Sequence, residues 1–343
     1  MRSNIHDVAK RAEVSIASVS RVLNGSGYVS EEIASRVNQA VTELGYKYVV
    51  RDKKSKDTLQ KDILGVIIPD INNPFFGEII RGISKIAVDH DLSVFICNSD
   101  ERPECELKNI ESFNKLKAGG IIITPVSSGA EANTRLLETM QNEGVQVVLL
   151  DRDLRPANFD GVFLDNFKGA FDGVEALIQA GHKNIGIIAG PVGTKPGKDR
   201  LEGYFEAMRT YGLTINEEMI AYGDFKWDSG YNLTLKLMRK PIRPSAIFLS
   251  NNLMGLGCMA ALTELLLKTP DDIALVVFDD EISFEAYSRN ISVISRSAEQ
   301  MGIEAAKIIV EKMCDFKKNN KHVPKRIILF PKLILRGSEI KTN

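Results

Sequence analysis

The chain predicts an α/β protein: an N-terminal helix-turn-helix unit of three helices, then two lobes built on doubly wound parallel sheets. Three observations carry that class. Residues 4–46 repeat apolar side chains at helical spacing, with breaks after short stretches. From Asp62 onward, short apolar runs alternate with helical stretches, the pattern of parallel strands covered on both faces. That alternation runs through two successive sets, and 343 residues exceed what one core ordinarily organises, so two or three domains are implied.

At the N-terminal end, Asn4 has the chemistry of a helix N-cap, and Val8, Ala9 and Ala12 fall on one side of the helix that follows. Glu13, Val14 and Ser15 interrupt it, and a second helix starts at Ser15. There Val19, Val22 and Leu23 share one face, while Ile16, Ala17, Ser20, Arg21 and Asn24 share the other. One face packs and the other is short, polar and cationic. This is the helix-turn-helix pattern, whose second helix offers side chains to the DNA major groove. After a Gly-Ser-Gly loop, Ser30 predicts an N-cap, Glu31 and Glu32 an acidic first turn, and Ile33, Val37, Val41 and Leu44 the apolar stripe of a third helix ending at Gly45. Charge agrees in sign. Residues 1–60 hold 10 Lys and Arg against 7 Asp and Glu, net +3, in a chain of net −1.

The segments DVAKRAEVSIASVSRVLNGSGYVSEEIASRV and ELGY resemble the DNA-binding headpiece of the lac-repressor and galactose-repressor (LacI/GalR) family of bacterial transcriptional regulators. The resemblance implies that residues 1–46 bind operator DNA. Ile16 and Ala17 occupy the positions that vary with base choice and offer only apolar contact, so Arg21, at the position suited to bidentate contact with guanine, carries the hydrogen-bonded readout. Asn4, Ser15, Ser18, Ser20, Asn24 and Tyr28 suit phosphate contacts. Glu13 replaces the glycine usual at the turn, where a left-handed backbone costs about 1 kcal/mol. Residues 47–61 are polar and charged and are expected to be a linker. The family's proline-asparagine pair and wedge leucine are missing there: Tyr48, Val49 and Ser55 stand at those places. A solvated tether and a hinge helix both remain open for this stretch.

Residues 64–68, 94–96, 121–123 and 147–150 read as buried strands of the first lobe, and 185–188, 246–249 and 273–278 as those of the second. Ligands of such sheets sit beyond the carboxyl ends of the strands. The loops there contain Asp70, Asn72, Asn73, Phe75 and Phe76, then Asp151 and Arg152, and in the second set Arg200, Phe225, Trp227, Asn251 and Asp279. Aromatic faces cover the C–H side of a sugar or base, while fixed arginine, aspartate and asparagine satisfy hydroxyls. Each residue also has a structural explanation: Asp70 and Asp279 as caps, Phe75 and Trp227 as core, Arg200 as a surface ion-pair partner.

Through PDINNPFFGEIIRGI, CNSD, AGGIIITP, LDRDL, GHKNIGIIAGP, RLEGY, YGDF, SNNLMGLG, FDD and ILFPKLILRGS, the second part resembles the same family's effector domain, itself similar to periplasmic sugar-binding proteins. By that resemblance Arg200, Phe225, Asn251 and Asp279 contact the effector, and Phe75, Phe76, Asp151 and Arg152 line the first lobe's side. The loop between Gly190 and Arg200 has no arginine or aromatic, so a sugar or sugar derivative is expected rather than a purine. Residues 62–343 then form the effector-binding and dimerisation domain: lobe one about 62–160 plus 292–322, lobe two about 163–290 plus 326–340. Residues 292–297 are expected to cross back to lobe one and a strand over 326–336 to return to lobe two. A homodimer or higher assembly on a roughly palindromic operator follows from the resemblance.

Other classes find less support. Cys97, Cys105, Cys258 and Cys314 form no CxxC pair, and the histidines are scattered, so neither a metal nor another cofactor is expected. No P-loop or nucleophile elbow points to an enzyme, although Asp70, Asp151 and Asp279 admit a sugar-modifying alternative. A sugar-binding protein of the transport type would carry a signal peptide, and neither one nor an apolar run of membrane-spanning length is seen, so a cytoplasmic location is expected. Within the regulator class, dependence on a corepressor or a partner protein stays open beside induction by an effector.

Overall fold

A computed structural model describes residues 4–24, 29–46, 60–126, 131–154, 156–280, 284, 290–315 and 324–341, with backbone alone at 24, 60, 61, 314 and 315. The expectations for Tyr28 and for linker residues 47–59 lie outside these, as do those for the side chains of Asn24 and Cys314. Two compact units divide the chain, residues 1–58 and 59–343.

In the first unit, α1 (Ile5–Ala12) begins with a reciprocal cap: Asn4 Oδ1 accepts from His6 N at 2.9 Å and Asp7 N at 3.2 Å, and Asp7 Oδ2 accepts from Asn4 N at 2.9 Å. Glu13 ends the helix at φ 53°, the left-handed region expected of a glycine position. The next helix, α2 (Ile16–Asn24), starts with Ser18 N donating to Ser15 Oγ at 3.1 Å. For α3 (Glu31–Glu43), Ser30 holds the N-cap position but its side chain makes no cap hydrogen bond, unlike the sequence expectation. Its carbonyl still accepts from Ala34 N, and Glu31 and Glu32 supply the negative charge the first turn favours. From α3, Arg36 Nη2 donates to Ala12 O at 2.6 Å and Glu13 O at 3.1 Å, covering carbonyls left open at the end of α1. Val8, Ala9, Ala12, Val19, Val37 and Ala40 form the core.

The second unit has two sheets. The first, in spatial order β11-β5-β4-β3-β1-β2, consists of β1 (Gln60–Ile68), β2 (Ser93–Asn98), β3 (Ala118–Ile123), β4 (Gln146–Leu150), β5 (Asp160–Leu164) and β11 (Arg326–Leu329), all parallel. The second, β12-β10-β9-β8-β6-β7, consists of β6 (Ile185–Ala189), β7 (Ile220–Tyr222), β8 (Ala246–Leu249), β9 (Ala274–Phe278), β10 (Ser292–Ser295) and β12 (Lys332–Ile334). It is parallel except for the antiparallel β10–β12 pair. Helices cover both faces, so strands such as β3, β5, β6, β8 and β9 are buried along their whole length.

Four boundaries differ from the sequence expectation. Residues 160–164, which straddle the expected limit between the lobes, all belong to β5 of the first sheet. Gln60 and Lys61, placed in the linker, already belong to β1. Residues 292–295, assigned to lobe one, pair with β9 in the second sheet. The strand expected over 326–336 in lobe two is split: 326–329 pair with β5 in the first sheet and 332–334 with β10 in the second. Pro331 stands at the break, and a residue without an N–H cannot continue a ladder. The chain thus passes between lobes after β5, after β10 and after β11.

After the second passage α11 (Ala298–Asp315) packs on α4 (Pro74–Asp89) in lobe one. The crossing is close because glycine meets backbone on both sides: a Cβ on Gly82 would lie 2.1 Å from Glu299 O, and one on Gly302 2.1 Å from Ile79 O. This seam holds the segment containing residues 296–297 against lobe one while β10 holds its other end in lobe two.

Candidate functional site

Two surfaces carry the chemistry. On α2, Ala17 and Arg21 are exposed and Ile16 is 42 % exposed, with Ser20 half-buried between them. Val19 points the other way and is fully buried. Ser15 and Ser18 are bound to each other, their hydroxyls 2.9 Å apart, and Asn4 Oδ1 is taken by the α1 cap, so a phosphate contact by Asn4 falls to its Nδ2. The outward face is therefore a small apolar patch with one long cation beside it.

The second surface is a cleft between the lobes, formed where the strands end. All eight residues expected at the effector site line it: Phe75, Phe76, Asp151 and Arg152 from lobe one, and Arg200, Phe225, Asn251 and Asp279 from lobe two. Local structure places each. Asn73 caps α4 through Phe75 N, which seats Phe75 and Phe76 on the first turn in edge-on contact, centroids 5.1 Å apart. Asn251 caps α10 (Asn252–Glu264), and its Nδ2 donates to Phe225 O at 2.8 Å. The amide of Asn251 thus positions Phe225, whose ring lies where a Cβ on Gly190 would be only 2.2 Å away. Asp151, Phe225 and Asp279 all have positive φ, at 62°, 67° and 73°. Such backbone costs about 1 kcal/mol or more per residue and gathers at functional sites.

Deep in the cleft the charges are buried and mostly paired, whereas Asp224 and Lys226 at the rim are exposed. Arg152 holds Glu101 through two bonds of 2.6 and 2.8 Å and donates to the carbonyls of Pro125 and Val126. Burial opposes its charge, but Glu101 outweighs this and keeps its pKa above the ordinary arginine value. Arg200, 1 % exposed, donates Nε to Asn166 Oδ1 at 2.9 Å and Nη1 to Ser250 O, and its guanidinium lies 3.7 Å from the centre of the Phe278 ring. Its nearest carboxylate is Asp279 at 4.0 Å. Burial pulls its pKa down to about 10, so it stays charged at neutral pH.

Sequence reasoning left out Arg296, Glu101 and Lys226, which also line the cleft. Arg296 lies just beyond β10 and bridges Asp151 of lobe one and Asp279 of lobe two. The available signal was an arginine directly after an apolar strand, in the segment expected to cross between lobes. Trp227, a sequence candidate, stacks on Tyr231 with centroids 5.2 Å apart and is not among the lining residues.

These two surfaces correspond to two family profiles. Residues 4–48 match bacterial regulatory proteins of the lacI family, and residues 61–334 match the periplasmic binding proteins and sugar binding domain of the LacI family. The chain belongs to the LacI family. It is accordingly a DNA-binding transcriptional regulator with a ligand-binding domain that controls DNA binding. Among curated LacI-family relatives, the transcriptional repressor PurR of Actinobacillus pleuropneumoniae is 30 % identical over 341 residues, covering 99 % of each chain. The regulator DegA of Bacillus subtilis is 28 % identical over 345 residues, covering all of both. A solved complex of the regulator CelR with cellobiose superposes with a TM-score of 0.72 at 26 % identity, over 98 % of this chain and 100 % of that one. These relatives are regulators rather than enzymes. Among the described residues, no helix is long and apolar enough to cross a membrane, and no group of three or more His, Cys, Asp and Glu is arranged to hold a metal ion.

Proposed function

We propose that the cleft binds a sugar or sugar derivative and that the chain acts as a homodimeric repressor whose grip on a roughly palindromic operator depends on that ligand. The carrying observation is the pairing of ring faces with fixed charges at the strand ends. Phe75, Phe76 and Phe225 offer apolar faces for the C–H side of a sugar, and Asp151, Arg152, Arg200 and Asp279 offer acceptors and donors for its hydroxyls. CelR, seen with cellobiose, supports the same class. On DNA, Arg21 reads one base pair through guanine, Ile16 and Ala17 add apolar contact, and Ser15, Ser18, Ser20 and Asn4 face phosphates. Asn24 and Tyr28 complete the phosphate set, and binding depends weakly on the operator centre because the linker lacks the family's wedge leucine.

The test uses the full chain. Thermal-shift measurements against cellobiose, ribose, sugar phosphates and purine bases come first, followed by operator binding by fluorescence anisotropy with each stabilising compound. A sugar that raises the melting temperature and changes operator affinity by roughly 5- to 150-fold is the expected result. Stabilisation by a purine alone would replace the ligand class. Stabilisation by a sugar with unchanged DNA affinity would remove the allosteric role and keep the cleft.

A further inference from the structure

Arg296 occupies the cleft in the way a ligand would. Its Nη1 donates to Asp151 Oδ1 at 2.7 Å, its Nη2 donates to Asp279 Oδ2 at 2.9 Å, and its Nε is in ionic contact with Asp279 Oδ1. The guanidinium carbon is 3.3 Å from the centre of the Phe75 ring, and the side chain is 5 % exposed. One flat group therefore lies on an aromatic face and spends its donors on carboxylates from both lobes, which is how a sugar ring in this cleft would be held. With Arg296 in place the cleft leaves about 30 Å³ free, room for a water molecule or two.

We infer that Arg296 is an intramolecular ligand: a guanidinium latch that holds the lobes closed and with which any small-molecule effector competes. The inference rests on the cleft being the effector site. Charge supplies the physical reason. Asp151 and Asp279 both lie within hydrogen-bond reach of one cation; without it the two buried carboxylates keep only longer-range compensation, Arg200 lying 4.0 Å from Asp279, and their repulsion across the lobes favours separation. Among the described residues, two further contacts reach across the cleft at longer range: Lys226 Nζ is 3.9 Å from Asp100 at the exposed rim, and Asn252 Nδ2 is 3.3 Å from Asn73 Oδ1, which already caps α4. Position adds to this. Arg296 stands on a passage between lobes whose ends are fixed by β10 and by the α4–α11 seam, so its guanidinium reaches both carboxylates only while the lobes are closed. A neutral sugar must displace it from Asp151 and Asp279, which weakens the apparent sugar affinity of the native chain.

Amide exchange read by mass spectrometry on the full chain tests the latch in the native protein, Arg296→Gln and Asp151→Asn. Both variants should exchange at least roughly tenfold faster in residues 69–76 and 223–228, and millimolar guanidinium ion, far below denaturing levels, should restore slow exchange in Arg296→Gln alone. Arg296→Gln should also bind cellobiose roughly tenfold more tightly than the native chain in titration calorimetry, because the competitor is gone. Native-like exchange in both variants overturns the latch, as does faster exchange that guanidinium leaves unchanged, since that marks a merely structural role. If Arg296→Gln fails to fold, Asp151→Asn decides alone, and native-like exchange in it overturns the proposal. A sugar that stabilises the native chain while the variants exchange normally removes the latch and keeps the effector site. A guanidinium-restored latch with no small molecule binding any variant does the reverse.

Discussion

The headpiece and the ligand domain are stabilised by different means. Among the described residues the buried headpiece core holds only alanine and valine, with larger apolar side chains such as Leu23, Ile33 and Leu44 packed partly buried against it, and the Asn4–Asp7 cap and Arg36 on the carbonyls of Ala12 and Glu13 add to its order. The ligand domain buries phenylalanine, tyrosine, isoleucine and leucine in clusters on both faces of two sheets. Apolar area is the dominant favourable term in folding, so the larger unit has a reserve that the smaller lacks. The left-handed residues make the same point. Glu13 in the headpiece and Leu266 in lobe two stand at ordinary helix ends, whereas Asp151, Phe225 and Asp279 place their strain where ligand chemistry is proposed. A tolerable defect in the large unit is a large fraction of stability in the small one.

The strongest perturbation should come from Gly82→Val, which drives a side chain into Glu299 O at the α4–α11 seam. A loss of about 3 kcal/mol or more is expected in the denaturant unfolding of the ligand domain. Val37→Ala should cost the headpiece roughly 2 kcal/mol. Its signature is a large loss of operator binding with the main thermal transition unmoved; parallel loss of both would mean that the units do not fold separately. Arg21→Ala should weaken operator binding by about 1–3 kcal/mol and relax preference at one base pair, scored against a library of operator variants, while leaving folding intact. Unchanged preference everywhere would assign readout to another residue.

Smaller effects compare the two units directly. Glu13→Gly and Leu266→Gly should each stabilise by about 1 kcal/mol, because glycine accepts the left-handed backbone without strain. In melting experiments the gain at Glu13 should move the headpiece further than the gain at Leu266, which is 86 % exposed, moves the ligand domain. The smallest effect is one of pH. Burial holds the His182 imidazole below its ordinary value of 6.5, with Nδ1 2.9 Å from Ser245 Oγ. A depressed histidine gives stability that is complete above the unfolded value and is lost as pH falls through it toward the folded one. His182→Asn should therefore flatten the fall in melting temperature below pH 6.5.

Local chemistry was enough to read much of this protein from its residues. Asn4 caps, and Val8, Ala9, Ala12 and Val19 face inward, because short-range spacing decides which side of a helix is apolar. The central strands of both lobes are legible because a strand buried on two faces must be apolar throughout; residues 94–96, read as buried, instead belong to the edge strand β2, where Phe95 and Ile96 are 47 % and 43 % exposed. The eight cleft residues could be grouped because sheets of this kind present their polar loops at the carboxyl ends of the strands. What sequence could not decide depends on partners far along the chain. The division of 326–336 between two sheets is set by which edge strand each half meets, and periodicity is silent on that. Ser30 has a capping side chain that makes no cap bond. Arg296 finds Asp151 across 145 residues and Asp279 across 17, and pairing over such separations exists only once both lobes have folded around it. Local spacing determined the elements and the residue types at the site; which charges meet was decided by tertiary packing, because electrostatic pairing follows distance in space rather than in sequence.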